Sequence, residues 1–393
     1  MILGQRIRLD PNDVQTTFFE RCAGTTRFTW NLGLARWKEL YEAGEKPNWH
    51  KLGAEINARK ATDLAWMREL PWAIPNNALR DLGAAFSHFF RRVKAGDPKV
   101  GYPRYKKKSR CQEGFAIEAR ALVFDGKKVK VPKLGWVRTR QDVRFPGRVL
   151  SAWFTKRAGH WYVALQVEAD EARWSYPHRC ETQAVVGVDL GVRDLAVLST
   201  GERVEAPRSL RRYELKLRRL NKELSRRTKG GKNWQKTKAA LGRLHERIAN
   251  VRGAAVHKLT ANVVQQFRWI GVEDLNVRGM AGNRHLAKSV MDAAMGEVLR
   301  QLVYKAPLAG AFVVQADRWF PSSKRCHVCG FVRDALPLGV RRWTCENCGA
   351  EHDRDDNAAQ NLKIMAAAYA ATAQRPDLRL GSVGWEPGNL AVY

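Results

Sequence analysis

The chain has no apolar run near the twenty or so residues that a bilayer-spanning helix needs. Arg6, Arg8 and Asp10 interrupt the start, so a secretory signal is not expected there. Ala366–Ala373 is alanine-rich but short, and reads as a helix end. Cysteine is scarce, with seven in 393 residues, and four of these fall within residues 326–348. That crowding excludes a spread disulfide framework and fits a reducing, cytoplasmic compartment. Acid is also in short supply: 39 Asp and Glu stand against 69 Lys and Arg, a formal net charge of +30. Basic residues occur throughout, so a polyanion is needed to neutralise the chain, and nucleic acid is the natural partner.

What is present begins with Ala184–Leu190, a near-continuous apolar run that reads as a strand buried on both faces. Asp189 closes it. A carboxylate in that place is costly unless it meets a cation or a donor. Leu195–Ser199 and Arg203–Glu205, separated by Thr200-Gly201, extend the strand into an antiparallel meander. Ribonuclease-H-like domains begin in this way, and so do actin-like phosphotransferases. The latter reading predicts a glycine-rich adenosine site further on, which the sequence lacks, and the basic charge also argues against it.

Upstream, Ile2–Leu9 alternates as a strand, and Asn12 or Asp13 is placed to cap a helix. Residues 14–95 read as mostly helical, with aromatic stripes that are better explained as core than as base-stacking platforms. A basic, aromatic, loop-like segment follows, in which Tyr102, Arg104, Lys106, Lys107 and Lys108 suit a groove that tracks a nucleic-acid backbone. Residues 121–168 carry short strands with turns at Asp125-Gly126 and Ala158-Gly159, the pattern of a small barrel. The strand at Ile2–Leu9 can complete that barrel, leaving the helices as an insertion.

Downstream, two heptad-spaced stretches flank Lys229-Gly230-Gly231-Lys232 and predict an antiparallel helical hairpin. Arg211, Arg212, Arg218, Arg219, Arg226 and Arg227 line its other faces and are candidates to grip phosphates. Glu273 ends a further apolar run, Trp269–Val272. Cys326-x-x-Cys329 and Cys345-x-x-Cys348, each followed by glycine, are zinc knuckles. Four thiolates with no spare position define one structural Zn²⁺. Directly after them, one of Asp353, Asp355 and Asp356 can join Asp189 and Glu273. A carboxylate cluster drawn from separate elements repels itself and calls for divalent cations. Two Mg²⁺ ions so held suit phosphodiester hydrolysis.

Gly187-Val188-Asp189-Leu190-Gly191, Val272-Glu273-Asp274-Leu275, Phe320-Pro321-Ser322-Ser323-Lys324 with its four-cysteine ribbon, and Asp353-Arg354-Asp355-Asp356-Asn357-Ala358-Ala359 together resemble the TnpB family. These are transposon-encoded RNA-guided nucleases related to type V CRISPR effectors. Phe28-Thr29-Trp30-Asn31 and Gly101-Tyr102-Pro103-Arg104-Tyr105 extend the likeness across residues 1 to about 370. The resemblance implies an α/β multidomain protein. Its RNase-H-like (RuvC) nuclease domain, at 180–320 and 352–372, would include a basic helical hairpin at 206–260 and an inserted zinc ribbon at 321–351. An N-terminal β-barrel (wedge), at 1–10 and 105–175, would be interrupted by a helical recognition lobe at 11–104. Residues 373–393 would form a poorly ordered tail. The family's catalytic, Mg²⁺-binding carboxylates fall on Asp189, Glu273 and Asp355. The implied partners are a guide RNA from the transposon end and target DNA, with a monomeric protein in a prokaryotic cytosol, at the nucleoid. The rival readings are an RNA-guided regulator that binds without cutting, and an accessory transposase acting on transposon ends.

Overall fold

The computed structural model describes residues 1–170, 176–177, 180, 182–337 and 339–373. The tail expected at 373–393 therefore lies, beyond its first residue, outside the described residues. The chain divides into two compact units, Met1–Ser175 and Tyr176–Tyr393.

In the first unit, β1 (Ile2–Asp10) leads into α1 (Asp13–Glu42), α2 (Trp49–Arg59) and α3 (Ala73–Lys94). A reciprocal cap starts α1. The Asn12 side chain accepts from the Gln15 amide at 2.9 Å, and Gln15 Oε1 accepts from the Asn12 amide at 3.1 Å. Six strands follow: β2 (Gly114–Glu118), β3 (Val123–Asp125), β4 (Lys128–Val131), β5 (Gly135–Thr139), β6 (Gly147–Arg157) and β7 (His160–Ala169). They pair with β1 in one antiparallel sheet of order β2-β6-β7-β1-β5-β4-β3. The first strand of the chain thus lies in the middle of the sheet, and the helices are an excursion from it. Ala158 and Gly159, with φ of 48° and 87°, turn β6 into β7 as the strand twist requires.

Two cores result. Phe19 of α1 packs with Phe115, Phe154 and Trp161 against the sheet. Among the helices, Trp37 lies flat on Phe86 at 4.2 Å, surrounded by Leu34, Leu52, Leu79 and Leu82. Phe28 and Phe90 depart from the expected core stripe and are 41% and 45% exposed.

The second unit is built on β8 (Val185–Asp189), β9 (Asp194–Leu198), β10 (Arg203–Glu205), β11 (Trp269–Val272) and β12 (Phe312–Gln315), in the order β10-β9-β8-β11-β12. The first three strands form an antiparallel meander, and β8, β11 and β12 run parallel. Between β10 and β11 lie α4 (Ser209–Arg226) and α5 (Lys232–Gln266). Leu217, Leu244 and Ile248 seal these two into a hairpin. The far half of α5 belongs to the main core. Val256, Leu259 and Val263 join Val298 and Leu302 against Val186, Val188, Ile270 and Val272 of the sheet.

Residues 277–309, for which the sequence offered no motif, hold α6 (Val277–Gly282), α7 (Ala287–Ala293) and α8 (Met295–Ala309). The cysteine segment carries the hairpin β13 (Arg342–Thr344) and β14 (Glu351–Asp353), followed by α9 (Arg354–Ala373). That hairpin runs to Asp353, two residues past the expected edge of the ribbon at 351, because its last pairs are Trp343 with His352 and Arg342 with Asp353. Among the described residues, no helix is long and apolar enough to cross a membrane.

Candidate active site

Two periodicities bring the three acids together. Side chains alternate along a strand, so Val186 and Val188 face α5 and α8 while Gly187 and Asp189 face the other way. The same holds for Ile270 and Val272 against Gly271 and Glu273. Parallel pairing matches Gly187 with Gly271 and Val188 with Val272. One residue further on, Asp189 and Glu273 stand side by side at the carboxyl ends of their strands.

Helix α9 lies across the glycines. A Cβ on Gly187 would come 1.9 Å from the Ala359 carbonyl oxygen, and one on Gly271 would come 2.3 Å from that of Leu362. Only glycine lets helix and sheet approach so closely. Asp355 is one turn before Ala359 on the same helical face, so this seating carries its carboxylate toward the strand ends.

The electrostatics register the convergence. Burial pushes the Asp189 carboxyl well above the usual carboxylate range, and the charges of Glu273 and Asp355 push it further. Arg354 and Arg341 offset part of this. Burial also raises Glu273, against the Ser322 hydroxyl that donates to its Oε1 and the nearby Arg354. Arg341 reaches Asp355 at 3.3 Å.

Asp353 has another task. Its Oδ1 accepts from the amides of Asp355 and Asp356 at 3.0 and 3.2 Å, capping α9. Burial works against its charge, but Arg203 and those amides outweigh it and hold the carboxyl below its ordinary range. Arg203 sits 2.9 Å from Asp353 and 2.7 Å from Asp356, so both acids are committed to a cation. Of the three acids left open by the sequence, Asp355 is the one that faces Asp189.

The four cysteine sulfurs lie within 4.8 Å of one another. Each knuckle closes in the same way: the amides of Gly330 and Gly349 donate to the carbonyls of Cys326 and Cys345, both at 2.9 Å. Both glycines have positive φ, 80° and 70°. The Phe331 amide and the Asn347 side chain lower the Cys329 thiol, while at Cys348 the Ala350 amide is outweighed by burial and the neighbouring cysteines, which raise that thiol. All four cysteines are free thiols, and the cluster fits one structural, tetrahedral zinc ion.

Two buried asparagines one turn apart bolt the ribbon to α9. Asn357 Nδ2 donates to the Arg325 carbonyl at 2.7 Å, and Asn361 Nδ2 donates to the Ser322 carbonyl at 2.8 Å. Sequence reasoning assigned no role to these two, nor to Ser322, Arg203 or Arg341. The available signal was a pair of amides at i and i+4 on an otherwise apolar helix face.

The basic candidates fall into two groups. In the first unit, Trp30 Nε1 donates to the Arg104 carbonyl at 3.0 Å, and Asn31 brackets Lys106 through both backbone groups at 2.8 and 3.0 Å. Residues 102–106 are thereby strapped to α1. Lys106 lies 3.7 Å over the Trp30 ring, and burial lowers its pKa. Tyr102 packs its edge on Phe86 and Phe89. Arg104, Lys107 and Lys108 are exposed. In the second unit, Arg211, Arg212, Arg218, Arg219 and Arg226 are exposed on α4. Arg218 pairs with Glu214, and Arg219 pairs with Glu223 at 3.3 Å. Arg227 instead closes the hairpin, donating to the Asn233 carbonyl at 2.6 Å and to Thr237.

Two strand-end carboxylates, Asp189 and Glu273, thus lie beside a helix that carries Asp355 and is braced by a four-cysteine ribbon, on a strongly basic protein. Residues 162–284 match a family model described as "Probable transposase" (OrfB_IS605), and residues 296–362 match the "Cas12f1-like, TNB domain". Residues 1–46 match one described as "Helix-turn-helix domain", although the chain there has a strand and one unbroken helix.

A protein of Streptomyces pristinaespiralis named "Putative RNA-guided DNA endonuclease" is 34% identical over 97% of this chain and 95% of its own. A namesake from Escherichia coli (strain K12), InsQ, is 31% identical over 94% of this chain and 92% of its own. Among solved structures, a "Cas12f1-sgRNA-target DNA complex" aligns with 92% of this chain and 99% of that one, at 11% identity and a TM-score of 0.36. The chain belongs to the TnpB family of transposon-encoded RNA-guided nucleases.

Proposed function

We propose that the protein is an endonuclease that uses a guide RNA from the transposon end to select DNA. It cuts beside a short flanking motif, with Asp189, Glu273 and Asp355 as the catalytic carboxylates. The observation that carries this reading is the seating of α9 on Gly187 and Gly271, which directs the third acid toward the other two.

An oxygen-only donor set in which Glu273 and Asp355 add to the burial that raises Asp189 suits Mg²⁺, and these three residues would hold it as two ions. When bound, Mg²⁺ supplies an activated water and neutralises charge on the leaving 3′-oxygen. The chain's own groups set the rest. Ser322 fixes the rotamer of Glu273. Arg341, half exposed and paired only loosely with Asp355, can pass to a phosphate when substrate arrives. The second unit is the RuvC-type nuclease domain, with the ribbon inserted before its last helix. The sheet of the first unit is the barrel-like wedge, and α1 to α3 form the recognition lobe. Lys107, Lys108, Arg104 and the exposed arginines of α4 hold RNA or heteroduplex backbone, so removing one should weaken binding without changing sequence choice.

The test uses protein expressed with its neighbouring transposon-end sequence, purified with bound RNA and given a matched DNA library. Cuts beside a fixed motif in Mg²⁺, absent in EDTA and absent for Asp189→Ala, are expected. Bound RNA without cutting would replace this reading with that of a regulator.

A further inference from the structure

The turn joining β12 to the ribbon holds a side chain the site description does not use. Trp319 is 85% exposed, although it lies between two anchored residues. On one side, Arg318 is tied to Asp274 at 2.8 Å, next to Glu273 in the chain. On the other, Ser322 donates to Glu273 itself. The turn is also closed internally. The Trp319 amide donates to Asp317 Oδ1 at 2.9 Å, and the Phe320 amide donates to the Asp317 carbonyl at 3.0 Å. A single exposed apolar side chain is ordinary. An indole held out in water by a turn fastened at both ends to Glu273 and Asp274 is not, because those contacts fix the backbone from which the ring projects.

We infer that Trp319 is a nucleobase-stacking subsite of the nuclease, receiving one base of an unpaired DNA strand beside the scissile phosphate. The inference rests on the nuclease reading above. The chemistry selects this occupant. An indole offers a broad π-face that any base can cover, which suits an enzyme that does not read sequence at the cut. A paired base has both faces occupied by its stacked neighbours, so only an unpaired strand can use the ring. Arg325, exposed a few residues on, supplies positive charge for the adjoining backbone, while the Lys324 ammonium is held by the Asp334 carbonyl at 3.1 Å. Because the turn shares its anchors with Glu273, the stacked base sets the register of the strand over the carboxylates.

The experiment scans a matched DNA strand with single abasic sites, using the RNA complexes of wild type, Trp319→Ala and Trp319→Phe. One abasic position near the cut should raise the wild-type KM by about 10- to 100-fold, with kcat changed less. Trp319→Ala should show the same loss on intact DNA and no further loss at that position, while Trp319→Phe should restore most of it. Equal losses for Trp319→Ala at every abasic position, or none on intact DNA, would overturn the inference. Binding of the same strands to the Asp189→Ala complex in EDTA gives the stacking pattern without cleavage. The subsite therefore stands or falls even if the wild type proves unable to cut.

Discussion

At the scale of single residues, Asp189 is the group whose state governs the site. Its carboxyl is raised by burial and by two neighbouring acids, so the folded protein binds its proton more tightly than the unfolded chain does. Below the ordinary carboxylate range, near pH 4, both states are protonated and nothing is lost. As pH climbs through the raised value, the unfolded chain ionises freely and the folded one resists, so stability falls. In EDTA, the melting temperature of wild type should drop relative to Asp189→Asn as pH rises from about 4.5, and Mg²⁺ should close the gap. Ser322 supports the same site indirectly, and Ser322→Ala should cost about 10- to 100-fold in cleavage rate or Mg²⁺ affinity. Asp189 and Glu273 were readable from the sequence because each closes an apolar run, whereas Asp355 was singled out from Asp353 and Asp356 only by the family resemblance. Ser322 and Arg341 were not, since a hydroxyl or guanidinium becomes part of the site only through a contact 49 or 14 residues away. Lys106 shows the converse limit. Charge pattern alone does not separate a lysine lying over Trp30 from one facing phosphate.

Among the elements, α9 is the one on which the site depends. Gly187→Ala or Gly271→Ala would drive a methyl into helix backbone, which cannot move as a flexible side chain would. Each should destabilise the protein by about 1–3 kcal/mol or more by chemical denaturation, and each should abolish cleavage by lifting Asp355. The ribbon braces the other side of the helix through Asn357 and Asn361. Stripping its zinc with a chelator, or introducing Cys345→Ser, should release one zinc per chain by metal analysis. DNA cleavage should then disappear while guide RNA stays bound. Strand alternation, the Cys-x-x-Cys spacing and the heptads of the α4–α5 hairpin were legible because their signals are local. Helices α6 to α8 were not, since residues 277–309 carry no repeated spacing or motif. The approach of α9 to the sheet was hidden because two glycines in strands read as weakness until the helix above them is seen.

For the molecule as a whole, charge is the dominant property. A net +30 makes nucleic-acid binding steeply salt-dependent. Replacing Arg211, Arg212 and Arg226 with glutamine should flatten the log–log salt slope of guide RNA or DNA binding by roughly 0.7–0.9 for each phosphate the protein no longer neutralises. Arg227→Gln should instead lower thermal stability, because that guanidinium closes the hairpin. The order of the site acids along the chain also matters during synthesis. Asp189 and Glu273 leave the ribosome well before Asp355, which follows the ribbon on the last described helix. A nascent chain holds two acids and bare glycine seats, with no third carboxylate to complete them. A copy that stops short of α9 therefore has neither the helix that seats on those glycines nor the acid it carries.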